Sequence, residues 1–172
     1  APGCGEPGNA GGGPGGGPGG GGPDFGAGTS SLNYLGNDTI SYIDHYTMKK
    51  SYVDNPWDHL VNACRDIDEI NNVEALDLYD FLNQHLDLDA TLWHLAVEII
   101  FSDDDSYINK GGMDYYVYYD VHNERILPIE YDGNTVFGNI NWSPFYNEND
   151  VDFALLNKLL SVQEIRQRYL AH

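Results

Sequence analysis

Positive charge is scarce in this sequence: eight Lys and Arg stand against 27 Asp and Glu in 172 residues, a net charge of −19. A chain of that charge repels phosphate backbones and anionic lipid, which excludes nucleic acid and anionic membrane surfaces as partners and favours cations or basic proteins. No run comes near the 18 apolar residues that span a bilayer, so no membrane span is expected. No basic-then-apolar leader opens the chain, and a start at Ala1 rather than Met is what removal of an upstream portion would leave. Cysteine is scarce too, and Cys4 and Cys64 are too few for a four-thiolate metal site. One sits in a Gly/Pro segment and the other in a helix-like stretch, so a disulfide in an oxidising compartment and two unrelated thiols both remain open.

The first 31 residues also carry almost no large apolar side chains, Phe25 apart. Residues 11 to 23 read GGGPGGGPGGGGP, a tract that buries no core and reads as a linker or, if ordered, as a segment packed on the body or on a neighbouring subunit. The remaining stretch, residues 32–172, suffices for one domain with one core. Asn37-Asp38-Thr39 and Asn141-Trp142-Ser143 fit the acceptor pattern for N-glycosylation.

Within the body, Ile40 to Ile43 reads as a strand or loop. Asp54-Asn55-Pro56 supplies a cap and a first-turn proline, and Leu60, Cys64 and Ile67 recur at helical spacing, which predicts a helix over about 56–68. Asn72 can cap a second helix over about 73–85, carrying Leu76, Tyr79 and Leu82. Asp89 can cap a third, in which Trp93, Ala96, Val97 and Ile100 form a stripe expected to face the core. The aromatic, β-branched run Tyr115 to Tyr119 and the run Arg125 to Tyr131, separated by the polar His122-Asn123-Glu124, predict a hairpin. A loop rich in Asn, Gly and Pro follows to about residue 149. The end, Val151 to His172, reads as helical in two pieces, with Ser161 capping the second. His45, His59, His85 and His94 lie in separate elements without ligand spacing and read as surface or satisfied structural histidines.

Two groups of acids stand at element ends. Asp103-Asp104-Asp105 closes the third helix, and Asp132 follows the second strand just before Gly133. Carboxylates around a hairpin can converge on a hydrated divalent ion, because Mg²⁺ is held by one or two carboxylates plus substrate phosphates. The triple acid could equally bind Ca²⁺, or serve only to solvate a helix end.

The order of these pieces resembles a known family. Asp105-Ser106-Tyr107, Gly111-Gly112, Asp114-Tyr115-Tyr116-Val117-Tyr118, Leu127-Pro128-Ile129-Glu130-Tyr131-Asp132 and Phe137-Gly138 follow one another as do the Asp-Ser-Tyr, His-Asn-Tyr-Tyr-Leu-Tyr and Pro-Trp-Asp-x-Asp-x-x-Phe-Gly elements of the CotH (spore-coat protein H) kinases. Leu32-Asn33-Tyr34-Leu35-Gly36-Asn37-Asp38 is similar to that family's entry into the domain, and Leu159 to Leu170 is similar to its closing helix.

The resemblance implies an α+β fold like the C-terminal lobe of an atypical protein kinase, with helices packed around a β-hairpin. It implies Asp105 as the base toward a substrate hydroxyl, and Asp132 as holder of Mg²⁺ against ATP, with Asp114 and Asn134 beside it. Asp114 replaces an amide of the family pattern and Asn134 replaces a carboxylate, so one charge is added and one removed. The family's N-terminal lobe, with its phosphate-pairing lysine, has no counterpart before Leu32, and Lys49 and Lys50 lie in the wrong block to replace it. The implied partners are that lobe or an upstream fragment, a protein substrate, and neighbouring subunits, in a secreted or cell-surface setting. Two readings follow: a fragment of a secreted Ser/Thr kinase, inactive on its own, or a non-catalytic filament or adhesion component built on the same fold.

Overall fold

In a computed structural model, residues 30–74, 77–110 and 114–172 are described. Cys4, the glycine tract, Leu76 and Gly111 to Met113, on which several of the readings above fall, lie outside them. Among the described residues the elements run α1 (Ile40–Ile43), α2 (Pro56–Glu69), a 3₁₀ turn (Ile70–Asn72), α3 (Leu78–Leu82), α4 (Leu88–Phe101), α5 (Tyr107–Lys110), β1 (Tyr115–Asp120), β2 (Arg125–Glu130), α6 (Ala154–Asn157), a 3₁₀ turn (Leu159–Ser161) and α7 (Gln163–Ala171). The fold is α+β, and its sheet is one antiparallel hairpin with Tyr115 opposite Glu130 and Asp120 opposite Arg125.

Helix α2 forms where its pattern predicts, with Pro56 in the first turn and Leu60, Cys64 and Ile67 buried. Its N-cap differs in detail: Asn55 occupies the position in left-handed geometry and its side chain makes no capping bond. Helix α4 is capped by Asp87 rather than Asp89, for it is the Asp87 carboxylate that accepts the Ala90 N–H at 3.0 Å. The α4 face is also rotated from the expected one. Ala96 is buried, but Trp93, Val97 and Ile100 are exposed, Ile100 by 64%, while Leu88, Leu92 and Leu95 line the core. This helix is apolar almost all round, so periodicity alone cannot choose its inner face. Ile40–Ile43 is a helical turn rather than a strand, and the helix expected over 73–85 is the short α3. Asn72 ends the preceding 3₁₀ turn instead of capping α3. At the C-terminal break Val162 stands at the N-cap of α7, while Ser161 Oγ donates back to Lys158 O.

A third chain segment lies beside the hairpin: Leu86 pairs in parallel with Ile126, through Asp87 N–H to Ile126 O at 2.8 Å and Ile126 N–H to His85 O at 2.7 Å. This contact sets α4 directly against β2. Tyrosines anchor the N-terminal stretch. Tyr107 Oη donates to Ser31 O and accepts from Leu155 N, each at 2.9 Å, Tyr46 Oη accepts from Leu32 N at 2.9 Å, and Tyr115 Oη donates to Ser30 O. Burial pushes the Tyr107, Tyr115 and Tyr46 hydroxyls well above the usual phenol range, so they stay protonated and bonded. Cys64 is a free, buried thiol, raised far above its usual pKa by desolvation.

The orientation of α4 yields a direct check. Leu95→Ala should lower unfolding stability by about 2–5 kcal/mol through a buried cavity, and Ile100→Ala on the outer face by under about 0.5 kcal/mol, both read from urea unfolding. Equal losses at the two positions would contradict the observed face.

Candidate functional site

The acids expected to carry chemistry gather at the open end of the hairpin. The last turn of α4 ends at Ser102, whose left-handed backbone (φ 48°) turns the chain and sends Asp103 inward. Asp103 is buried, and its Oδ1 accepts the Thr135 hydroxyl at 2.7 Å and the Asp105 N–H at 3.2 Å. The Asp105 N–H also reaches Thr135 Oγ1, at 3.0 Å. Asp104 N–H donates to Thr135 O at 3.3 Å and Phe137 N–H to Phe101 O at 2.6 Å, so the loop after β2 is stitched along the end of α4. Gly133 backs onto the same carboxylate: a β-carbon there would lie 3.5 Å from Asp103 Oδ2.

On the other side of that loop, Asp114 O accepts the Tyr131 N–H at 3.1 Å, which puts the start of β1 beside Asp132. Asn134 Nδ2 donates to Asp132 Oδ1 at 2.9 Å. Asp105, Asp114, Asp132 and Asn134 are thus carried by three segments that meet at one end of the sheet. Asp114 (φ 49°), Asp132 (φ 59°) and Phe137 (φ 63°) all adopt the left-handed region, which Asp tolerates and a bulky residue such as Phe rarely enters. Such conformations persist only where surrounding bonds enforce them, and they concentrate at functional sites. The donor set fits a hard divalent ion: Asn134 bonds one oxygen of Asp132 through its amide nitrogen, leaving a second carboxylate oxygen and an amide oxygen of the type Mg²⁺ takes.

A second group of side chains was missed by the sequence reading. His94 is buried on the inner side of α4, and its Nε2 stands 2.9 Å from Glu98 Oε1 without hydrogen-bond alignment. Glu98, one turn on, is also buried, and Glu130 at the end of β2 faces the pair, 3.7 Å from His94 Nδ1. The available signal was the His94-x-x-x-Glu98 spacing, which sets both side chains on one helical face. Burial and the charge of Glu98 push the Glu130 carboxyl up to about 7, against a partial pull downward from His94.

Three basic side chains form ion pairs elsewhere. Lys158 pairs with Asp68 at 2.9 Å, Arg166 with Glu148, and Arg168 with Asp89, whose carboxyl it holds below the usual range. His85 Nδ1 meets the buried Asp66 carboxylate at 2.5 Å.

The raised pKa of Glu130 has a definite sign in stability. An acid whose folded pKa lies near 7 instead of 4.5 contributes fully below pH 4.5, and the contribution is lost as pH rises through 7. In metal-free buffer, Glu130→Gln should match the native chain at pH 4 and become progressively more stable than it between pH 5 and 8. Parallel stability curves from thermal unfolding would contradict the raised pKa of this carboxyl.

No curated protein and no solved structure matches the chain. The family model described as CotH kinase protein matches residues 25–172. The segments bearing Asp105, Asp114 and Asp132, which resembled this family, meet at the hairpin end, and the chain belongs to the CotH kinase family.

Proposed function

We propose that the chain carries the catalytic and metal-binding half of a CotH-type kinase that transfers the γ-phosphate of ATP to a Ser or Thr hydroxyl of a secreted or cell-surface protein. The observation that carries this reading is the tie through Thr135, which holds Asp105 and the Asp132 loop on one side of the hairpin end. In such a transfer Asp105 accepts the proton of the acceptor hydroxyl as its oxygen bonds to phosphorus. The Asp105 backbone N–H is shared between two acceptors, Asp103 Oδ1 and Thr135 Oγ1, which holds the segment that carries the carboxylate in place. Asp132, with Asn134 and Asp114, would hold Mg²⁺, which when bound neutralises charge on the phosphates.

ATP also needs cations from the protein, and Lys158, Arg166 and Arg168 are engaged in ion pairs with Asp68, Glu148 and Asp89. Lys49 and Lys50 lie exposed on the stretch before α2. We therefore assign tight ATP binding and turnover to an assembly of this chain with an ATP-clasping lobe. The outward apolar residues Trp93, Val97 and Ile100 of α4, together with Phe101 and Phe137, are surface that such a lobe could cover. The same surface favours the second reading, a non-catalytic component whose contacts serve surface assembly.

Calorimetric titration of ATP with Mg²⁺ separates the two. Metal-dependent binding to the native chain, weakened tenfold or more (~1.4 kcal/mol) in a folded Asp132→Ala variant, is expected of the kinase reading. Absence of binding to the folded native chain leaves a structural component, or a half-domain that binds ATP only with its partner lobe, as the better account.

A further inference from the structure

We propose that His94, Glu98 and Glu130 form a binding site for one divalent transition-metal ion of the Zn²⁺ or Mn²⁺ class, separate from the position assigned to Mg²⁺ at Asp132. The three side chains come from two elements, α4 and the end of β2, and they offer one ligand atom each, all within 4.8 Å of one another. Ligands bound at about 2.0–2.2 Å to a tetrahedral ion lie about 3.3–3.6 Å apart, so side-chain movement of up to about an ångström completes the set.

Hydrogen bonding leaves these groups incomplete. His94 Nε2 and Glu98 Oε1 stand 2.9 Å apart, yet neither has a hydrogen-bond partner of acceptable geometry. Their side chains are only 6% and 1% exposed, so water does not complete them from outside. A buried imidazole nitrogen and a buried carboxylate oxygen left unsatisfied cost free energy, about 1–3 kcal/mol for a neutral group and more for a charged one. The remaining oxygen of Glu98 is already fixed: Oε2 accepts the Ile108 N–H at 3.2 Å, an outer contact that orients the carboxylate as ligand-bearing carboxylates usually are.

Charge points the same way. The two carboxyl groups bring negative charge as they ionise, and no ion pair among the described residues brings a Lys or Arg to Glu98 or Glu130. A dication balances that charge without a residue. Imidazole with two carboxylates suits Zn²⁺, Mn²⁺ or Fe²⁺ better than the all-oxygen cages of Mg²⁺ and Ca²⁺ or the thiolate sites that select softer ions. Glu130, 35% exposed, gives the ion an entry from solvent and a side where a water can complete the shell. The competing occupant is a proton shared between the two glutamates.

The test uses the whole chain stripped with chelator and titrated with Co²⁺, read by visible absorption, with Zn²⁺ as competitor. One equivalent of Co²⁺ should develop d–d bands that Zn²⁺ abolishes. Glu130→Gln, a partly exposed and isosteric change, and His94→Ala should each weaken binding tenfold or more, while Asp132→Ala leaves it unchanged. Absence of Co²⁺ bands in the native chain would overturn the proposal in favour of the shared proton. Bands that survive both variants, or that vanish in Asp132→Ala, would place the ion elsewhere and overturn it as well. Because no nucleotide is present, failure here is distinct from failure of the kinase reading.

Discussion

A single buried carboxylate organises the working end of this molecule. Asp103 sits beneath the C-terminus of α4 and accepts from both the Thr135 hydroxyl and the Asp105 amide, joining segments more than thirty residues apart. Bonds from neutral donors to a charged acceptor in a poorly solvated position are stronger than their surface equivalents. Removal of one partner leaves a charge or a donor stranded, so the three groups stand or fall together. The two acids named for catalysis inherit their positions from it. Asp105 hangs from the brace by its own amide, and Asp132 lies three residues before the brace's threonine.

That arrangement explains why an acidic chain can concentrate carboxylates at one place. A net charge of −19 repels itself, and compaction of acids at a helix end and a hairpin end works against the folded state. The cost is offset by backbone and hydroxyl donors at Asp103 and by the Asn134 amide at Asp132, while left-handed turns at Ser102, Asp114 and Asp132 direct the chain into the cluster. A site of this charge is prepared for cations, and two stretches of it differ in chemistry. The Asp132 side presents oxygen donors, whereas the His94 side adds an imidazole in a drier setting.

Much of this was legible in the residues. Helix α2 and the hairpin follow from clear periods of 3.6 and 2 bounded by Pro56 and by the polar turn at His122 to Glu124, and local pattern decides such elements. The order of motif blocks led to the CotH kinase family and to Asp105 and Asp132, because family-level signals survive in short ordered stretches. Helix α4 shows where pattern stops. With apolar residues on nearly every side, Trp93, Val97 and Ile100 looked as inward as Leu92 and Leu95, and only the docking of Leu86 and Asp87 against Ile126 fixes the rotation. The same rotation buries His94 and Glu98, so their pairing with Glu130 was hidden along with it. Thr135 gave no local sign of its role, since its partner lies 32 positions earlier and Asp103 stood out only as one of three consecutive acids.

The central claim, that the Asp103 and Thr135 bridge positions Asp105, is tested most directly by hydrogen exchange at the Asp105 amide in Thr135→Val and Thr135→Ser chains. The account predicts that valine, which keeps the shape and loses the hydroxyl, strips protection from Asp105 while core amides of α2 and α4 keep theirs, and that serine restores it. Undiminished protection of Asp105 in the valine variant would contradict the account.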